Sequence, residues 1–359
     1  MGCAIIGCGK SLPALAVAND DLTQLVDTSD EWITTRTGIK SRRVAVEETN
    51  ADLAEAAARQ AMGLVEGGYC EAPIDPESID LVVYSTCTPD VLVPSCAALV
   101  RRRLGLVNAV AFDVNAACSG FIYAMSVAES MMAASAAGVA GAGRRNKVRR
   151  ALVIGSERLT RITNWEDRTT CVLFGDGGGA AVVEWDEGRA GVLATFMKND
   201  DDDANALTCP SAFDSPQPFD VNGVSKEAAV AGDPGNARID EELGVTEAVA
   251  AGRPRQSLFM HGQTIFKFAA SAMGNAIDEV CKRADVDISD VKLIVPHQAN
   301  ERIIKYAAKR CGLPLDRFQV SIGDRGNASS ACVPMALSDA YESGRIQKGD
   351  KVILVAFGG

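Results

Sequence analysis

Two short apolar runs, IDLVV (Ile79 to Val83) and VKLIV (Val291 to Val295), have the length and β-branched content of strands buried on both faces. Leu81 and Leu293 stand 212 residues apart (293 less 81), and the same spacing returns downstream. AMSVA at Ala124 pairs with ALSDA at Ala336, again at 212 (336 less 124), inside stretches of helical spacing. RRALVIG at Arg149 then pairs with GDKVILV at Gly349, now at 200 (349 less 149). The loss of 12 predicts an insertion in the first half, for which Gly138 to Arg149 is the visible candidate. Three matches in one order read as a duplication. Each half alternates strand and helix signals, so the pattern predicts an α/β protein of two similar halves in one body. The boundary falls near Trp185 to Arg189, after the strand-like GAAVVEW, which gives halves 1–187 and 188–359. Asn199 to Arg255, rich in Asp, Pro, Gly and Ala, reads as a long loop or excursion outside the repeat.

Composition narrows the class. At 359 residues, 47% hydrophobic and 23% charged, the chain has the makeup of an ordinary globular protein. Its longest apolar stretch, Ala124 to Ala142, is broken by Ser126, Glu129 and Ser130, so no transmembrane helix is predicted. The start MGCAIIGCGK runs straight into a strand-like segment and lacks the pattern of a secretory leader. Ile6 stands where a myristoylation signal wants Ser or Thr. The 11 cysteines include no C-x-x-C pair, and there are only two histidines, His261 and His297. Free thiols in a reducing compartment are expected, without disulfides or a metal site. A net charge of -11 excludes nucleic acid and anionic membranes as general partners. GCGKSL, Gly7 to Leu12, begins like a dinucleotide-binding loop but carries Leu12 at the third glycine position.

Candidate chemistry lies where strands give way to helices. AVAFDVNA is strand-like and GFIYAMSVAESMMAA helical, which puts Cys118 near a helix N-terminus. There the helix dipole is expected to lower its thiol pKa and favour the nucleophilic thiolate. An inert core cysteine fits the same position. His297, in LIVPHQAN, follows the second half's strand, and Asn327, in GDRGNASSACVPMAL, precedes the helix aligned with the one after Cys118. Each has a bland reading, as a hydrogen-bonded core histidine and as a turn asparagine. The repeat puts Cys118 and Asn327 at equivalent helix starts and His297 at an equivalent strand end, so two packed halves would bring all three to one pocket.

Taken in order, DTSDEWITTRTGIKSRR, AACSGFIYA, FGDGGGAAV, HQAN, GNASSACVPMAL and the final AFGG resemble the β-ketoacyl-acyl carrier protein synthase III family of the thiolase superfamily. The resemblance implies a thiolase fold of α-β-α-β-α layers, a homodimer, and a catalytic triad at Cys118, His297 and Asn327. It implies an acyltransferase that condenses an acyl-coenzyme A primer with malonyl-acyl carrier protein to start fatty acid synthesis, with acyl-coenzyme A as substrate and no cofactor. Backbone amides of Cys118 and Gly359 would form the oxyanion hole. Thr28, Trp32, Arg36 and Arg168 would bind the coenzyme A head, with Arg168 across the adenine from Trp32. Lys267, Arg302, Lys309 and Arg310 would dock the carrier protein; residues 302, 305 and 309 share one helical face, which brings Lys305 alongside. Val93, Met260 and Phe357 would shape the acyl pocket, Val93 from the dimer partner.

The chain departs from the pattern at two places. It closes at Gly359 where the family continues into a last strand, which raises the alternative of an inactive carrier-binding scaffold. The 199–255 excursion is longer than its counterpart. A polyketide or quinolone condensing enzyme would use the same three residue types, whereas a degradative thiolase would want a second cysteine where this chain has ILVAFGG. The expected compartment is the cytoplasm, or the stroma in a plastid-bearing cell.

Overall fold

The computed structural model describes residues 2–139, 147–202, 204–210, 219–220, 223–224, 234–252 and 256–358. Its first half is organised by a sheet in the order β4-β1-β8-β7-β5-β6. The strands are β1 (Gly2–Ser11), β4 (Tyr69–Cys70), β5 (Leu81–Ser85), β6 (Val110–Val114), β7 (Arg150–Arg158) and β8 (Asp176–Asp186). A hairpin of β2 (Leu15–Ala18) and β3 (Ser41–Val44) brackets α1 (Asp30–Thr37). In the second half β13 (Leu293–Pro296) and β14 (Val352–Val355) pair in parallel, as β5 and β7 do.

The apolar strands predicted from sequence therefore form equivalent ladders, with one correction. Leu81 lies opposite Ala151 and Leu293 opposite Val352, so the second strand pair repeats at 201 (352 less 151), one more than the sequence match suggested. Side chains alternate along a strand, so the single residue decides which face each one joins. Leu81, Val83, Ala151 and Val153 share one core with Leu293, Val295, Val352 and Leu354. Their neighbours Val82, Leu152 and Ile154 face outward in the first half, and Ile294, Ile353 and Val355 do so in the second.

That shared core is filled by α4 (Gly120–Ala136) and α9 (Cys332–Glu342), through Phe121, Ala124, Met132, Val333 and Leu337 among others. Outside the large sheet lie α2 (Asn50–Ala61) and α3 (Cys96–Arg103); outside β13 and β14 lie α7 (Gly262–Ala284) and α8 (Glu301–Arg310). The layers run α-β-α-β-α. Helices reach both faces of β8 because FGDGGGAAV supplies glycines there: a Cβ on Gly178 would meet Leu53 O of α2 at 2.6 Å, and one on Gly179 would meet Met335 N of α9 at 2.7 Å.

The 199–255 excursion is more than loop. Its described residues include β9 (Leu207–Thr208), β10 (Phe219–Asp220), β11 (Gly223–Val224), α5 (Pro234–Glu242) and α6 (Thr246–Ala250). β9 pairs with β12 (Phe259–Met260), which returns the chain to the body. Of the predicted insertion, 140–146 lie outside the described residues.

Gly179→Ala should destabilise the protein by about 1–3 kcal/mol, because the new methyl meets backbone rather than a movable side chain. Urea unfolding would measure this against Gly262→Ala, whose added methyl meets nothing within 4 Å and should leave the midpoint unchanged.

Candidate active site

The site is built on a pair of matching turns. Ala117 (φ 41°) and Ser329 (φ 46°) both occupy the left-handed region, 212 residues apart. Asn115 Oδ1 accepts a hydrogen bond from Ala117 N at 3.1 Å, and Asn327 Oδ1 accepts one from Ser329 N at 2.9 Å. Each turn continues as 3-10 helix, Ala117–Ser119 and Ser329–Ala331, into α4 and α9, and the two turns pack together. By this equivalence Cys118 matches Ser330 and Asn327 matches Asn115, so the two candidates head equivalent helices at different positions. His297, just after β13, matches Ser85 at the end of β5.

The three candidates converge around Ser329 and the C-terminal segment. The side chain of Cys118 lies beside that of Ser329, whose Oγ has no hydrogen-bond partner among the described residues, and a Cβ on Gly358 would lie 3.0 Å from Cys118 Cβ. His297 stands edge-on to Phe357 with ring centroids 5.3 Å apart, and its backbone N–H donates to Val355 O. Asn327 is locked by its backbone to Leu173 and Gly175. Its Oδ1 is committed to Ser329 N and approached by Cys332 Sγ at 3.6 Å. Among the described residues Nδ2 has no acceptor, so the amide's donor end is the one left for a substrate. Gly359 lies outside the described residues.

Electrostatics overturns one expectation. Burial pushes the Cys118 thiol up to about 11, the neighbouring Ser329 side chain opposes the rise, and the nearby Glu157 carboxylate adds to it. Cys118 sits in the 3-10 turn before α4 begins at Gly120, and desolvation outweighs the helix terminus there. His297 is 1% exposed, and burial lowers its pKa to about 3. Its Nδ1 has no partner. At neutral pH the two are therefore a thiol and a neutral imidazole, with no ion pair.

The proposed coenzyme A residues come together. Ser29 caps α1 by accepting from Trp32 N at 3.1 Å, and the Trp32 ring carries the Arg36 guanidinium at 4.5 Å and that of Arg168 at 5.0 Å. Arg168 also donates to Asp27 O at 2.8 Å, next to Thr28, whose Oγ1 is buried without a partner. Asn300 caps α8 and donates to Arg36 O at 3.0 Å, which sets the basic helix beside this cluster. Lys267, Arg302 and Lys309 are exposed and form no ion pair among the described residues; Arg302 stacks over Phe266 at 5.3 Å. Lys305 pairs with Glu301 at 2.7 Å, and Arg310 is tied to Asn275 at 2.7 Å and Asp278 at 3.2 Å.

Met260 packs with Leu159, Phe174, Leu207 and Leu258 around Cys87, a thiol close enough to Cys118 to feel its charge. Phe357 closes the His297 side. Val93 does not join them within one chain, being 87% exposed with Val91 and Leu92. Sequence reasoning missed Ser329, Cys87 and Leu207. The 212 offset from Ala117 points to Ser329, but no local pattern marks the other two. Among the described residues no cluster could hold a metal ion, and no helix is long and apolar enough to cross a membrane.

Comparison with known proteins bears directly on this geometry. Residues 112–201 match the family model for 3-oxoacyl-[acyl-carrier-protein (ACP)] synthase III, and residues 281–359 match its C-terminal model. β-Ketoacyl-[acyl-carrier-protein] synthase III of Clostridium beijerinckii is 39% identical over 355 residues, covering 99% of this chain and 95% of the relative. The Xanthomonas campestris synthase III is 41% identical over 356 residues, covering 99% and 94%. The chain belongs to the β-ketoacyl-acyl carrier protein synthase III family. The crystal structure of the Aquifex aeolicus synthase III superposes with a TM-score of 0.79 at 37% identity, covering 100% of this chain and 96% of that one. A priming β-ketosynthase of the R1128 polyketide pathway gives 0.79 at 31% identity, covering 100% and 93%. As a synthase III family member the chain is an acyl-transferring condensing enzyme with the thiolase fold.

Two measurements follow from the neutral pair. Iodoacetamide alkylation of Cys118 in the free protein should rise with pH toward a midpoint near 11; a midpoint below 8 would mean the thiolate is stabilised instead. The depressed pKa of His297 leaves stability intact above about 6.5 and lowers it as pH falls from there toward 3, because the unfolded chain takes up a proton that the folded site refuses. Unfolding of wild type and His297→Gln across pH 3 to 8 should show the wild type losing ground only in that window.

Proposed function

We propose that this chain performs a two-step decarboxylative Claisen condensation, starting fatty acid synthesis from an acyl-coenzyme A and malonyl-acyl carrier protein. The observation that carries it is the convergence of one thiol, one neutral imidazole and one amide with its donor end free. Trp32, Arg36, Arg168 and Thr28 hold the coenzyme A head, by cation-π and charge-assisted hydrogen bonds. Arg168 already rests on Trp32, so adenine enters between them by displacing it.

In the first step Cys118 sulfur attacks the thioester carbonyl, the bond to coenzyme A sulfur breaks, and the departing thiolate takes up the proton from Cys118. With its pKa pushed up to about 11, Cys118 rests as the thiol at pH 7 and gives up its proton in the course of the transfer. In the second step malonyl-acyl carrier protein loses carbon dioxide. Charge gathers on its thioester oxygen as an enolate, and His297 and Asn327 donate hydrogen bonds to it. A neutral histidine does this without giving up its proton. The carbanion attacks the acyl group on Cys118, and the tetrahedral oxyanion is held by the amides of Cys118 and Gly359. Collapse expels the Cys118 thiolate and leaves a β-ketoacyl-acyl carrier protein.

The carrier docks at Lys267, Arg302 and Lys309, an exposed basic surface on an acidic chain; Arg310 contributes less, its charge being met by Asp278. β6 ends its sheet as an edge strand that opens on the exposed Val110 just after the exposed Val107, and the exposed Val91, Leu92 and Val93 lead into α3, which packs on β6. An open edge beside apolar surface supports a homodimer joined there, with the partner's Val93 closing a pocket lined by Met260 and Phe357. The halves 1–187 and 188–359 are its two structural repeats. Eleven free cysteines suit a reducing compartment, the cytoplasm or a plastid stroma.

Incubation with acetyl-coenzyme A should add one acetyl group to the intact mass of wild type and none to Cys118→Ala. A folded wild type that gains no mass from any short acyl-coenzyme A would support the inactive scaffold instead. His297→Ala and Asn327→Ala should still take up the acetyl group, yet lose condensation by about 10²–10³ fold, since each removes a donor used only in the second step.

A further inference from the structure

Glu157, the eighth residue of β7, is fully buried and has no part in the chemistry above. Its carboxylate is met by Thr86 Oγ1 at 3.0 Å, Thr88 Oγ1 at 2.6 Å, Ser330 Oγ at 2.8 Å, and the amides of Cys87 and Thr88 at 3.1 and 3.2 Å. Cys87 Sγ adds a weaker contact at 3.5 Å. Thr86 Oγ1 already accepts from Asn50 Nδ2 and Thr88 N, so it has only its proton to give, while Ser330 Oγ can turn its proton to Glu157 or to Ser85 O. Burial pushes the Glu157 pKa up, and the surrounding hydroxyl and amide donors oppose that rise by favouring the carboxylate. No cation forms an ion pair with it among the described residues.

The knot lies one residue from the nucleophile's support. Ser330 follows Ser329, whose side chain lies beside Cys118 and whose backbone N–H is held by Asn327 Oδ1. In the 212 repeat Ser330 is the counterpart of Cys118, and Ser85, whose carbonyl oxygen Ser330 Oγ also approaches at 3.1 Å, is that of His297. A Cβ on Gly155 would collide with Ser330 O, so β7 presses directly against this turn. The same carboxylate holds Cys87 in the wall of the acyl pocket.

On the reading of Cys118 as the acyl-accepting nucleophile, we infer that Glu157 is a positioning residue. It clamps the Ser329–Ser330 turn and the Thr86–Thr88 segment against the site, and its carboxylate stands close enough to Cys118 to act on it through space. The ionisable groups that feel its charge are Cys87, Cys118, Cys96 and Tyr84, and of these Cys118 is the only one in the triad. The degenerate mate of the catalytic site thus serves as an anchor for the working one.

Glu157→Gln tests both halves of the inference, since it keeps the shape while removing the charge and one acceptor. The midpoint for iodoacetamide alkylation of Cys118 should fall by about one pH unit, and acetyl transfer at fixed thiolate fraction should slow about tenfold or more. Glu157→Asp should restore the midpoint but not the transfer rate. Unchanged midpoint and rate in folded Glu157→Gln would overturn the proposal. Should Glu157→Gln fail to fold, Ser330→Ala cuts only the link to the turn, and acetyl transfer equal to wild type in that variant would overturn the proposal. Alkylation needs no acyl substrate, so a wild type that rejects acetyl-coenzyme A would sink the proposed function while leaving this inference open to the midpoint measurement.

Discussion

The stacking of two left-handed turns, Ala117–Ser119 against Ser329–Ala331, is the contact on which the rest of the molecule depends. Non-glycine residues in that region cost about 1–3 kcal/mol each, and such strain persists only where its surroundings dictate it. Here the surroundings are the two parallel strand pairs and the central helices α4 and α9, which bury one common core. Each turn leads directly into its central helix, the first from β6 and the second from the 3-10 segment Ile322–Asp324. Moving either would shift a helix within a layer packed on both faces.

From that contact comes the electrostatic state of the site. The Cys118 turn is half-buried and His297 and the Ser329 turn are buried between the halves, and surroundings poor in water penalise charge on sulfur and imidazole alike. Cys118 stays protonated and His297 stays neutral for the same reason. The site therefore stores polarity as oriented donors: the Asn327 amide turned by Ser329, and the imidazole held edge-on to Phe357. Such donors act when charge develops on a group bound beside them and leave the Cys118 thiol as it is.

Substrate delivery follows a different logic, at the surface. The chain is acidic as a whole, yet cations gather at Trp32 and along α7 and α8. The bond from Asn300 to Arg36 O ties these regions together, so the cations around Trp32 and those of α8 lie next to one another. A local field of this kind selects anionic partners while the overall charge discourages nucleic acid and anionic membranes.

The sequence by itself determined what is local or periodic: the strand runs, the 212-residue repeat, and the motifs carrying Cys118, His297, Asn327 and the Trp32 helix. Strand type and helix starts depend on neighbouring residues, which is why they were legible. Tertiary structure decided what depends on distant atoms. The ladder register set the second offset at 201 rather than 200, since only pairing across strands chooses which face a side chain joins. Burial between the halves raised the Cys118 pKa where a helix start alone had implied a fall. Ser329, Cys87 and Glu157 became part of the site only when residues far apart in the chain met there. Solvent exclusion and cross-strand register belong to the packed body, and no short stretch of sequence carries them.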